Sequence, residues 1–241
     1  MPFEYDFSGL WHKWLMESSL RMAKAGHSMY YISPNMWGNH SGDTLLTLLG
    51  SEQLMYDCAD DPEGVSRALE KITDAQYTVF RSILNMVKES GMVGGRCATG
   101  VWSPKSCLSF DCDVSAMISR ELYDHIFLPP MLRMLDLVDH RIYHLDGPEA
   151  LHHLPTILSI PQIQAVQWVC GVANENLQKW YELYDKIQAS KKSIIVYAKY
   201  DEVLDVCKRL KPEGLAISFE SPSEDKMNEM VEKVSKMYGA Q

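Results

Sequence analysis

The chain has 241 residues, a formal net charge of −9, 46% hydrophobic and 23% charged residues. That balance is ordinary for a globular protein, and the acidity excludes a non-specific nucleic-acid or anionic-membrane surface. No apolar run approaches the ~18 residues of a membrane span, and no basic start with an apolar core opens the chain. Six cysteines (Cys58, Cys97, Cys107, Cys112, Cys170, Cys207) lack any C-x-x-C spacing, so reduced thiols in a cytoplasmic protein are expected.

Trp11, Trp14, Leu15, Leu20 and Met22 recur at helical spacing and predict a helix over 10–25, stopped by Gly26. The aromatic run 27–33 reads as a strand and 34–42 as a loop. Asp43 opens an apolar helix to Leu49, and a second short helix covers 51–56. Asp60-Asp61-Pro62-Glu63 is a helix-start signal, an acidic cap followed by proline in the first turn. The helix should reach about Ser90, burying Val65, Leu69, Ile72, Tyr77, Phe80, Ile83, Leu84 and Val87.

Residues 92–101 predict a short glycine-rich strand and 102–113 a loop. A helix over 119–139 should kink at Pro129-Pro130. Strands then alternate with helices: strand ends at Asp146, 165–169, 193–197 and 214–219, helices at 149–158, 174–190, 201–210 and 224–238. Near-continuous apolar strands alternating with helices mean a parallel sheet with right-handed crossovers. No Gly-x-Gly-x-x-Gly follows the first strand. Polar and aromatic residues follow almost every strand, which favours a TIM-type (β/α) barrel over a doubly wound sheet.

The candidate site centres on Tyr143-His144-Leu145-Asp146-Gly147-Pro148. His144 and Asp146 share a strand face because side chains repeat every two residues. They read as general acid/base or metal ligands, or else as a hydrogen-bonded pair fixing the turn. Glu220 and Tyr197 end strands and read either as facing the same mouth or as solvated loop residues. Asp111 and Asp113 are same-face neighbours if extended, a pairing that raises one pKa; Asp113 also suits a helix cap. Trp37, Trp102 and Trp168 suit the walls of a pocket for a flat or methylated substrate, or simple packing. Cys170 reads as inert, and His152-His153 as surface.

Four stretches, DTLLTLLGSEQLMYDCADDPE (43–63), DCDVSAMISRELYDHIFLPP (111–130), YHLDGPEALHHLPTILSIPQIQAVQWVCG (143–171) and PEGLAISFESPSEDKMNEMVEKV (212–234), resemble the uroporphyrinogen decarboxylase superfamily. That superfamily comprises the decarboxylase and methyltransferases serving corrinoid proteins or thiols. The resemblance runs from Leu10 on and implies a (β/α)8 barrel. Its members carry about two more βα units in front, so the resemblance implies a single partial barrel of about six units over 1–241. Its open edges, 27–33 and 214–219, would be closed by a second copy or by a subunit supplying the missing strands; otherwise the sequence is a truncated piece.

The thiol-directed members hold zinc through His-x-Cys and a later cysteine. Here the corresponding positions read His144-Leu145-Asp146 and Ser218-Phe219-Glu220, so a harder set around His144, with Asp146 and Glu220, is the zinc site implied. The first expectation is therefore methyl transfer between a small methylated substrate and a corrinoid protein. The second is tetrapyrrole decarboxylation, which wants basic groups, and the strand ends offer only Arg96, Lys105 and Lys199. The third is a non-catalytic barrel subunit completed by a partner.

Overall fold

The computed structural model describes residues 4–26, 40–91, 95–97 and 99–239. The strand expected at 27–33, and Trp37 with it, lie outside the described residues.

The first half is helical. Helix α1 (Leu10–Gly26) has the expected span, but its buried side is Ser19, Ala23 and Gly26. Trp11 is 80% exposed and Trp14 61%. Small residues let the helix lie close to its neighbour; Leu15 and Met16 pack partly against the core, and the two tryptophans face out. Helices α2 (Ser41–Leu49) and α3 (Ser51–Asp60) precede the long α4 (Pro62–Glu89). The Asp61 carboxylate accepts the Gly64 N–H at 2.9 Å and Pro62 occupies the first turn, as the sequence signal required. Along α4, Val65, Leu69, Ile72, Val79, Phe80, Ile83 and Val87 form the buried stripe. Each such side chain contributes about 1.5–3 kcal/mol on burial.

The segment 92–113 differs from expectation. Strand β1 (Gly95–Arg96) pairs antiparallel with β2 (Trp102–Ser103), and β3 (Cys107–Phe110) begins the main sheet inside the stretch predicted to be a loop. Cys-Leu-Ser-Phe carries no β-branched residue, so its local pattern is weak. All four residues are nonetheless buried. Strand choice there is made by the sheet, whose packing outweighs local propensity.

Strands β3, β4 (His140–Asp146), β5 (Ala165–Val169), β6 (Ser193–Tyr197) and β7 (Leu215–Ser218) form one parallel sheet in sequential order. The register sets Phe110 beside Tyr143, His144 beside Gln167, and Tyr197 beside Ser218. The two faces differ. Leu108, Phe110, Tyr143, Leu145, Val166, Trp168, Ile194 and Val196 pack into the large helix-bearing core. Cys107, Ile142, Ala165 and Ile195 form a separate small cluster on the opposite face. This face carries His144, Gln167 and Tyr197 above that cluster by the two-residue repeat.

The connections are helical. A helix predicted over 119–139 is α5 (Arg120–Leu122), a π-turn at Tyr123–Phe127, and α6 (Leu128–Met134). Pro129 and Pro130 lack the N–H needed for regular α bonding, and the wider turn lies just before them. Next come a 3-10 turn at Pro148–His153 with α7 (Leu154–Ser159), then α8 (Tyr181–Ala189), α9 (Val203–Arg209) and α10 (Glu224–Tyr238). His153, expected at the surface, is fully buried and donates from Nε2 to Ser115 O at 2.9 Å. Its neighbour His152 bonds Glu149 O and Ile118 O. No helix among the described residues is long and apolar enough to cross a membrane.

Candidate functional site

The C-terminal ends of β3 and β4 gather an acidic cluster around one imidazole. Asp113 opens the 3-10 turn Asp113–Met117 after β3, while His144 and Asp146 end β4 on one face. One ligand atom from each of the three lies within 4.8 Å of the others. Gly147 turns the chain directly after Asp146 with φ +80°, and its N–H donates to Val169 O at 2.9 Å. A positive φ favours glycine there, so the residue that releases the strand also holds the end of β4 to β5.

Two further carboxylates stand beside these. Asp43, in the first turn of α2, accepts the Val114 N–H at 2.8 Å and so fastens α2 to the turn after β3. Asp111 follows β3. The Asp43 Oδ2 and Asp111 Oδ1 atoms are buried with no hydrogen-bond partner among the described residues. Burial, then the Asp43 and Asp113 charges, push the Asp111 carboxyl up to about 7, and the His144 charge works against them. Burial also raises Asp43 and Asp113, with charge repulsion from Asp43 and then Asp146 acting on the latter. Mutually repelling carboxylates in a half-buried mouth favour either a retained proton or a bound cation.

The donor chemistry suits a divalent ion. Two carboxylates and one imidazole are hard-to-borderline ligands that zinc accepts. The His144 ring lies with Nδ1 2.7 Å from Gln167 Oε1. An amide oxygen only accepts, so Nδ1 carries the proton and Nε2 presents the lone pair. Metal-binding histidines are commonly oriented through their other nitrogen in this way.

A second grouping, His40, Asp43 and Cys112, also has close ligand atoms. It is structural. The His40 Nδ1 accepts the Gly42 N–H at 2.8 Å, capping α2, and Nε2 donates to Phe127 O at 3.0 Å. Both ring nitrogens are used. Burial holds this ring down at about 4, which keeps it neutral.

Beside the acidic cluster, a cleft of about 490 Å3 opens over the ends of β5, β6 and β7, lined by Trp168, Cys170, Tyr197, Lys199, Phe219 and Glu220 among others. The Lys199 ammonium is 3.6 Å from Glu175 at its rim. The Gln167 Nε2 donates to Tyr197 Oη, so one face of β4–β6 links cluster and cleft.

Of the residues singled out from sequence, His144, Asp146 and Asp113 are brought together. Tyr197, Trp168 and Glu220 share the cleft. Glu220 follows β7, three strands from β4, a separation on the order of 10–14 Å at the usual strand spacing. It therefore belongs with Tyr197 rather than with His144. Trp168 is 2% exposed, packs at 4.9 Å against Trp180 and sits in the helix-facing core; it bounds the cleft from within. Trp102 is on the β1–β2 hairpin, and the adjacent Ser103 Oγ bonds His140 Nδ1 at the start of β4, the end remote from His144. The hairpin places it away from the strand-end mouth. Sequence reading missed Asp43, which looked like a helix opener, and Gln167. The latter had a visible signal: an amide in the middle of Ala-Val-Gln-Trp-Val, a strand buried on both faces.

No protein-family model matches the chain, and no curated protein matches it.

Proposed function

We propose that the chain is a metal-assisted enzyme of the uroporphyrinogen decarboxylase kind, a partial (β/α) barrel. In this reading it moves a methyl group from a small methylated substrate to a corrinoid carried by a separate protein. The observation that carries the reading is the Asp113–His144–Asp146 cluster at the C-terminal ends of adjacent parallel strands, with His144 oriented by Gln167 through Nδ1. Active sites of barrel enzymes gather at that end. Sequential strand order, with one face against helices and the other carrying a small apolar cluster below His144, Gln167 and Tyr197, supports a barrel wall over a doubly wound sheet.

Asp113, His144 and Asp146 would hold zinc or a similar divalent cation, which would act as a Lewis acid on the substrate's leaving heteroatom. The cleft beside it would seat the rest of the substrate against Tyr197 and Phe219. When the carbon–heteroatom bond breaks, the methyl group passes to the partner's nucleophile and the electron pair stays on the heteroatom. Asp111 would stand in the same mouth as a further carboxyl, raised in the metal-free protein by burial and by the Asp43 and Asp113 charges. Acidic residues at these strand ends weigh against a tetrapyrrole polycarboxylate, which needs cationic clamps. The half-exposed β7 supports the companion proposal that a second copy or another subunit extends the sheet.

The test is zinc titration by calorimetry, together with methyl transfer to reduced cobalamin from quaternary amines, thioethers and methanol. Saturable zinc binding that is lost in His144→Ala, with methylcobalamin formed by the wild type, supports the reading. Absence of both, or uroporphyrinogen decarboxylation instead, overturns it; absence of any turnover leaves the scaffold-subunit reading in its place.

A further inference from the structure

One face of the sheet carries an amide whose position packing alone does not explain. Gln167 is 3% exposed, in the centre of β5, between His144 on β4 and Tyr197 on β6. An apolar side chain would fill the same space without the cost of desolvating an amide. Instead, both ends of the amide are used.

Its Oε1 faces His144 Nδ1 at 2.7 Å, and its Nε2 donates to Tyr197 Oη. With the amide oxygen turned to His144, the first contact puts the proton on Nδ1. The second makes the phenol oxygen an acceptor, so the Tyr197 hydroxyl proton is not spent on Gln167. Tyr197 is 44% exposed and lines the cleft. Its O–H can therefore donate outward. Burial, which raises the phenol above its ordinary range, keeps that proton in place.

We propose that Gln167 is a positioning residue that sets two polarities at once: it holds the His144 proton on Nδ1 and so leaves the lone pair on Nε2, and it frees the Tyr197 hydroxyl as a donor into the cleft. The ligand class follows. The molecule read by this cleft carries a hydrogen-bond acceptor, an oxygen or a leaving heteroatom, opposite Tyr197. The metal-affinity part rests on the cation site proposed above; the proton positions do not.

Two substitutions separate the polarities. Gln167→Glu offers two acceptor oxygens, so it retains the proton on His144 Nδ1 but draws the Tyr197 O–H inward as a donor. Gln167→Leu supports neither. The readouts on the full chain are the His144 tautomer, from long-range 1H–15N correlation with labelled histidine at about pH 8.5, above the ordinary imidazole range, the Tyr197 13Cζ shift, and zinc affinity by calorimetry.

The wild type should show the Nδ1–H tautomer. Gln167→Glu should keep it, move the Tyr197 Cζ signal downfield, and bind zinc at least as tightly. Gln167→Leu should move the ring to the Nε2–H form and weaken zinc binding about 10–100-fold. An Nε2–H tautomer in the wild type, an unchanged tautomer in Gln167→Leu, or an unmoved Tyr197 signal in Gln167→Glu overturns the proposal. If Gln167→Leu does not fold, the wild type and Gln167→Glu still decide it. If zinc does not bind at all, the cation reading falls and the tautomer still judges the relay.

Discussion

Replacing Asp111 by asparagine should stabilise the metal-free protein at alkaline pH. The carboxyl is raised from 3.8 to about 7, a gap of roughly three units, or about 4 kcal/mol at about 1.36 kcal/mol per unit. Its sign is fixed by linkage. A folded-state value above the unfolded one means that the folded protein binds the proton more tightly. The stability contribution is complete below about 3.8 and is lost as pH rises to about 7. Asparagine has no charge to desolvate and fits the same space. Allowing for relaxation of Asp43 and Asp113, the gain at pH 8 should be about 1–3 kcal/mol, or a rise in Tm of about 2–4 °C per kcal/mol. Urea unfolding in chelator across about pH 4–8 measures it, and the advantage should shrink steadily on acidification. Saturating zinc should reverse the order, because an ion at this mouth stabilises the charged wild type more. An equal or less stable variant at pH 8, or a difference that does not change with pH, would refute the reasoning.

His40→Ala removes an acceptor for the Gly42 N–H and a donor to Phe127 O, and should cost about 2–4 kcal/mol in urea unfolding. Because burial lowers this imidazole from 6.5 to about 4, the wild type loses stability from this group as pH falls from about 6.5 toward about 4, and the variant should lack that slope. This slope opposes the one from Asp111, so the two variants should tilt the pH profile in opposite directions. Lys192→Met deletes the buried ammonium that donates to Ile160 O at 2.7 Å and Ile163 O at 2.6 Å. A loss of about 2–4 kcal/mol is expected, and a shift in urea midpoint equivalent to less than about 0.5 kcal/mol would show that the two carbonyls find other partners.

Regular patterns were legible in the amino-acid order. The stripe of α4, its Asp61-Pro62 start and the Ser223 cap of α10 are local signals, and each element forms where its own residues direct it. Strands β5 to β7 were visible because their runs are nearly all apolar. β3 was not, since Cys107 to Phe110 mixes polar and apolar residues and is held by its neighbour β4. The faces of α1 were misleading for a related reason: helical spacing finds a stripe, but the surface of α4 decides which side packs. Here the small side does.

The sequence alone determined the alternation of strand and helix, and the shared face of His144 and Asp146, because a strand repeats every two residues. Only the tertiary structure decided what surrounds that pair. Asp43 reaches the cluster from α2, 71 residues before the Val114 N–H it accepts, and Gln167 meets His144 through strand register. Glu220 is separated from it by the width of two intervening strands. Contacts between strands and helices are set by sheet register and packing, which no local repeat encodes. The physical character of the site, a cluster of carboxylates with one imidazole turned toward them, belongs to that level.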